Sequence, residues 1–360
     1  MKLDSLPTVE RIDKEAERMD TPYDVWAASQ GIDVHRGYFV EDVFTLPLKW
    51  WERKGGYGAL INLEGTGYMD DAYVCGIPPG ESLKPERYLF EELVFVLEGR
   101  GATTVWTDDG SRQTFEWQKG SLFAVPLNAW HQHFNGEGNR EARLLAVTNA
   151  PLVFNLFHNE DFIMNNPYSF TDRFRGEEGY FGGGGRLYKD RVLVTNFVAD
   201  VINLEPLAWH ERGKGNKTVF FELAESTMGA HVSQFPIGVY KKAHRHGPGA
   251  HVIILTGGGY SLLWPEGKEP MRIDWKPGSV LVPPENWFHQ HFNPRNEPSR
   301  YLALKMLSRR FKLAAGKIKS DVPLKEGGWQ IEYEDEEPEI GRLFQNECAR
   351  FGVTAQMGRA

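Results

Sequence analysis

Cysteine is scarce in this chain. Cys75 and Cys348 are the two in 360 residues, and one distant pair builds no disulfide framework, so nothing points to an oxidising compartment. Long apolar runs are missing too. Stretches such as Val252 to Leu255 fall far short of the ~20 residues needed to cross a bilayer, and the opening MKLDSLPTVERIDKEAERMD has no apolar secretion core. The expectation is a cytoplasmic protein with no membrane partner. Basic clustering is also lacking: 41 Lys and Arg face 49 Asp and Glu, a net charge of −8, with no Lys/Arg face for a phosphate backbone. Nucleic acid is excluded as a partner on that ground. The glycine run Gly182 to Gly185 is followed by no Gly-Lys-Ser/Thr, so it reads as a linker and not a phosphate loop. The sequon Asn216-Lys217-Thr218 would matter only in a secreted protein and reads as chance.

What is present is an ordinary globular composition, 41% apolar and 25% charged, in a chain long enough for two domains. Those two domains are copies of one design. At an offset of 158, residues 78–135 fall on 236–293 without a gap, and 19 of the 58 positions are identical. The identities include Gly80/Gly238, Gly99/Gly257, Trp106/Trp264, Trp117/Trp275, Pro126/Pro284 and the block His-Gln-His-Phe-Asn at 131–135 and 289–293. These are turn and site positions. Between them lie short β-branched and aromatic runs such as VFVLEGRGATTVW and VIILTGGGYSLLW, bounded by Gly, Pro and Asn, which predict strands. Each repeat reads as an antiparallel barrel or sandwich. Helical signals flank the repeats at 8–29 and from about Glu339, and 170–190 reads as a connecting loop.

The chemistry gathers in the second repeat. His244 and His246 stand at i and i+2, which on a strand point to one face, so both can reach one ion. His251 follows five residues later and His289 lies on a later run, so four imidazoles could converge inside one barrel. His251 stands either as a fourth ligand or just behind the other three. A divalent ion held by neutral imidazoles keeps its full +2 and favours an anionic, chelating substrate. Imidazole ligation suits Fe, Ni, Cu and Zn. His291, two residues beyond His289, should face the same interior and is the candidate for a hydrogen bond behind the ligands or an acid/base role. Trp287 and Tyr260 are candidates for the pocket lining, though such aromatics are more often packing. Arg245 and Lys242 could attract a carboxylate, but Arg245 alternates with the ligands and can point outward.

The stretch HRHGPGAHVIILTGG resembles the first cupin motif and GSVLVPPENWFHQHFN the second, in the right order and in both repeats. The resemblance implies an all-β bicupin: two tandem double-stranded β-helix (jelly-roll) barrels with short helical N- and C-terminal extensions. The expected division is 1–65 extension, 66–168 first barrel, 169–218 linker and edge strands, 219–312 second barrel and 313–360 C-terminal extension. Against the family pattern, His251 replaces the usual glutamate ligand and Asn286 the usual glycine after the motif proline. An all-histidine site is similar to those of the gentisate and 1-hydroxy-2-naphthoate dioxygenase group. That implies Fe(II), O2 and a small hydroxylated acid, with Ni, Mn, Cu or Zn as other ions such a site takes. A non-redox isomerase, lyase or decarboxylase, or a ligand-binding bicupin, are the competing classes. Family analogy also implies a homo-oligomer, dimer or tetramer, with the pair Trp50-Trp51 covering a barrel edge or a partner. At the 158 offset the ligand positions of the first repeat become Glu86, Tyr88, Leu93 and His131, which predicts a barrel without a metal site. Glu91, Glu92 and His133 nearby leave a second, mixed site as the alternative.

Overall fold

The computed structural model describes residues 20–188, 191–247, 249–306, 308–313 and 319–357. The runs of alternating side chains form strands, and each repeat becomes a large and a small sheet facing each other. In the first barrel the large sheet runs Val34–His35, Gly56–Ile61, Asp71–Ile77, Ala142–Thr148, Glu92–Glu98, Leu122–Val125, Phe197–Val198. The small sheet is Trp130–Asn135, Arg100–Trp106, Arg112–Gln118. In the second barrel the large sheet runs Arg186–Tyr188, Val192–Val194, Lys217–Glu222, Gly229–Phe235, Ser299–Lys305, His251–Thr256, Val280–Leu281, Phe39–Val40. It faces Val239–Tyr240, Phe288–Asn293, Gly259–Trp264, Met271–Trp275. The offset of 158 carries Asp71–Ile77 onto Gly229–Phe235 and Trp130–Asn135 onto Phe288–Asn293, residue for residue.

Two of these strands cross over. Phe39–Val40, from the N-terminal segment, closes the second barrel against Val280–Leu281, and Phe197–Val198, from the connecting segment, closes the first against Leu122–Val125. Glu91 of the first barrel accepts hydrogen bonds from the Thr227 backbone N–H and hydroxyl of the second.

Because side chains alternate across a strand, each large sheet has two apolar faces. Val252 and Ile254 turn into the second barrel with Phe235, Trp275 and Tyr301, whereas Ile253 and Leu255 turn outward. The outward set meets Leu93, Phe95 and Leu97 of the first barrel in one continuous core, so the large sheets pack back to back. Trp51, Val94, Val96, Val105 and Trp117 fill the interior of the first barrel.

The described part of the N-terminal helix is Pro22–Ser29, capped reciprocally by Thr21 and Asp24, and residues 8–19 of the expected helix lie outside the described residues. Its Trp26 packs on Phe154 of the helix Ala150–Phe157, ring centroids 4.7 Å apart. The C-terminal helix is Pro338–Arg350, and Ile340, Phe344 and Cys348 cover the outer face of the second barrel's small sheet. Trp51 is buried, while Trp50 is half exposed on the same edge strand Lys49–Trp51. Among the described residues no helix is long and apolar enough to cross a membrane.

Candidate metal centre

Three of the four expected histidines come together. His244 pairs across the barrel with His289 through reciprocal backbone hydrogen bonds of 3.1 and 2.9 Å, which sets their side chains adjacent on the inner face. His246, two residues on, joins them. Ring centroids are 4.2 Å apart for His244 and His289, 4.9 Å for His246 and His289, and 5.6 Å for His244 and His246. One ligand nitrogen from each lies within 4.8 Å of the others. The Nδ1 atoms of His244 and His289 each lie 3.3 Å from a backbone carbonyl, of Lys242 and Trp287 respectively. Donating Nδ1–H there leaves the Nε2 lone pairs for an ion. Burial, with Arg212 and the neighbouring imidazoles, pushes His244 well below the usual histidine range, and burial pushes His289 down to about 3. Both are neutral donors at pH 7, as ligation requires.

His251 does not join them. It is fully buried on the outer face of strand His251–Thr256, with Nδ1 3.6 Å from Asp70 Oδ1 and neither ring nitrogen hydrogen-bonded. The reason is one residue of register. Ala250 and Val252 line the cavity, so His251 between them must face the shared core, as Leu93 does at the same place in the first barrel. The inward position is therefore Ala250, whose counterpart at the 158 offset is Glu92.

His291 does face the cavity. Trp275 Nε1–H donates to Ser261 Oγ at 2.9 Å, and Ser261 Oγ lies 2.7 Å from His291 Nδ1. A hydroxyl that donates to Nδ1 would leave a proton on Nε2; one that accepts from Nδ1–H would leave Nε2 with its lone pair. The first barrel repeats this relay through Trp117, Thr103 and His133 at 2.9 and 2.7 Å, so the relay belongs to the fold.

Tyr260, Trp287 and Arg245 do not line this cavity. Tyr260 faces outward because Ser261 faces in, and it stacks on Phe292 at 4.5 Å beneath the C-terminal helix. Trp287 packs against Tyr38 at 5.9 Å and does not line the cavity. Arg245, between two inward histidines, pairs with Glu266 at 2.8 Å, and Lys242 pairs with Glu332. Other cations line the cavity instead: Arg212, Lys241, Lys305 and Arg309, with Glu222 the acid among the lining residues. Burial and the neighbouring Arg309 and Arg212 hold Lys305 down at about 7, and burial with Arg212 holds Lys241 well below the lysine range. Lys241 Nζ donates to Ser233 and to the Tyr301 hydroxyl at 2.5 and 2.8 Å. Two signals could have found these residues: the 158 offset puts Arg212 on Lys54, and alternation from Tyr301 through Ala303 leads inward to Lys305.

Asn286, in place of the expected glycine, has φ of 61°, and Asn128 at the same place in the first barrel has φ of 56°. Asparagine is the side chain best suited to the left-handed region, so the turn is kept.

No protein-family model matches the chain. A curated 5-aminosalicylate 1,2-dioxygenase of Comamonas sp. is 33% identical over 75 residues, 21% of this chain. The match spans 18% of that relative's own length. Among solved structures, the Lactobacillus farciminis oxalate decarboxylase formate complex superposes with a TM-score of 0.52 at 14% identity, over 75% of this chain and 86% of that one. A Bacillus subtilis oxalate decarboxylase mutant gives 0.50 at 14% identity, over 75% and 77%. At such identities the likeness is one of fold. What it shows is the bicupin fold, two tandem β-barrels in one chain.

Proposed function

We propose that the second barrel is a metal-dependent dioxygenase site that takes a small hydroxylated, aromatic carboxylic acid. The observation that carries the reading is the three-imidazole cluster with an alanine, Ala250, at the inward fourth position and a cationic wall opposite. Three neutral protein donors suit a divalent ion and leave positions open for a substrate and O2. The donors fit Fe(II), and when bound it supplies the activation of O2. The 5-aminosalicylate 1,2-dioxygenase likeness supports this reaction, and the oxalate decarboxylase likenesses match the non-redox alternative equally.

The residues of the chain do the rest. His244, His246 and His289 hold the ion. Lys305 and Arg309, with Arg212 and Lys241, draw in the substrate carboxylate and fix its orientation. Burial with Arg309 and Arg212 holds the proton affinity of Lys305 low, and a carboxylate beside it would raise it. His291 faces the cavity, and in the tautomer with the proton on Nε2 it donates to a substrate oxygen. Val252, Ala303 and Tyr301 give the cavity apolar walls that limit water.

The test is metal content of anaerobically purified protein, followed by O2 uptake with a panel of hydroxylated aromatic acids. About one iron per chain and O2 consumed with ring cleavage are expected. Turnover of the same acids without O2, or with manganese bound, would move the reading to a decarboxylase or lyase. The Bacillus subtilis oxalate decarboxylase is described with Mn(II) centres.

A further inference from the structure

The first barrel has lost the histidine cluster but not the place where it would be. Glu86 pairs across to His131 as His244 pairs to His289, and at the 158 offset Glu92 stands where Ala250 stands. The side chains there form a closed set. His131 Nε2 lies 3.6 Å from Glu86 Oε1, 3.9 Å from Glu92 Oε2 and 3.2 Å from the Tyr88 hydroxyl. All four residues are buried, and Glu92 Oε2, on a side chain 1% exposed and aimed at His131, has no hydrogen-bond partner. The cation in their midst is Lys54, 2% exposed. Its ammonium donates to Glu86 and, at 3.0 Å, to the Tyr73 hydroxyl, which in turn donates to Glu92.

In the second barrel the counterpart cation still lines the cavity but is held by other partners. Arg212 is the counterpart of Lys54 at the 158 offset. Its guanidinium is held by the C-terminal segment, donating to Ser320 O at 2.6 Å, Ser320 Oγ at 3.0 Å and Gln330 Oε1 at 3.2 Å.

We propose that the ammonium of Lys54 takes the place of a divalent ion in the first barrel, so that Glu86, Glu92 and His131 form a metal site closed by the protein's own lysine. Two buried carboxylates need a compensating cation. Lys54, helped by Arg53 at 2.8 Å from Glu86, supplies it and holds Glu86 ionised: burial would raise its proton affinity, but the two positive charges outweigh that and hold it well below the usual glutamate range. With the amine in place, the ligand atoms do not approach one another as the three histidines do; among the described residues those histidines are the one group gathered within 4.8 Å. Without it, two carboxylates and an imidazole suit Mn(II) or Zn(II).

The experiment uses the full chain carrying His244→Ala and His289→Ala, so that the second barrel contributes no ion. Mn(II) and Zn(II) are titrated calorimetrically and bound metal is counted by elemental analysis. The expected result is none per chain with Lys54 present, one per chain in Lys54→Met, and none again when Glu86→Gln is added. Lys54→Arg, which keeps the charge, should bind none. A folded Lys54→Met chain that takes up neither ion overturns the proposal, as does stoichiometric, Glu86-dependent binding with Lys54 intact. Where Lys54→Met fails to fold without metal, refolding with Zn(II) should recover the native circular dichroism. A chain that stays unfolded with the metal present counts against the proposal.

Discussion

The two barrels share a backbone and differ in where their charge is balanced. In the first, Glu86 and Glu92 face Lys54 and Arg53 within the chain, and the interior is filled by Trp51, Tyr73, Tyr88 and Phe90. In the second, glutamates 86 and 92 have become His244 and Ala250, and the cations Arg212, Lys241, Lys305 and Arg309 line a cavity with Glu222 as the acid among them. One barrel is neutralised by itself. The other is left with positive charge that only an anion from outside can balance, and adding a divalent ion sharpens that demand. The same fold is thus a strut or a site according to a handful of inward positions.

The largest break in the comparison comes from the histidines. His289→Ala should cost at least ~100-fold in metal affinity and abolish turnover, since it removes a direct ligand where even supporting residues are worth 10–100-fold. His131→Ala should leave the metal of the second barrel in place. Next is the strut. In metal-free buffer Lys54→Met strands a buried carboxylate and should destabilise the protein by about 3–5 kcal/mol in denaturant unfolding. The pH sign follows from Glu86, whose folded proton affinity is depressed. Its stabilisation is present above the ordinary glutamate range and is lost as pH falls through and below it, so the wild-type profile should fall there more steeply than that of Lys54→Met.

Ala250→Glu, which copies Glu92 into the second barrel, should keep or raise metal content while lowering turnover by about tenfold or more, because a carboxylate takes a position the substrate or O2 needs. Lys305→Met should raise KM for carboxylate substrates by about 10–100-fold, the value of a charge-assisted hydrogen bond. In the wild type the Lys305 ammonium is present below about 7 and lost above it, so KM should climb as pH rises through 7, and the variant should lack that climb. The smallest effect is expected from His251→Leu, which copies Leu93. It replaces an imidazole with no hydrogen-bond partner, so metal content should be unchanged and stability altered by only about 1 kcal/mol.

The repeat, the barrels and the pair His244 and His246 were legible because glycine turns and strand alternation are local signals. His289 and His291 were legible because the block at 289–293 recurs at 131–135. His251 and Tyr260 were misplaced for one kind of reason: a spacing count does not say on which side of the strand His251–Thr256 or Gly259–Trp264 the alternation resumes. The cationic wall was hidden by distance in sequence, since Arg212 and Lys305 come from segments far apart in the chain and meet only on the wall of the folded cavity. Lys54 lies outside the gapless 78–135 block and is tied to Glu86 only through the fold.

The crossed strands have a further consequence. Phe39–Val40 belongs by sequence to the segment before the first barrel yet completes the second, while Phe197–Val198 follows the first barrel and returns to complete it. A chain cut near residue 170 would therefore yield two fragments, each missing an edge strand of its own sheet and exposing the apolar back that the other had covered. Each fragment would hold the strand its twin lacks. A single melting transition for the whole molecule is the expected macroscopic sign of that bond.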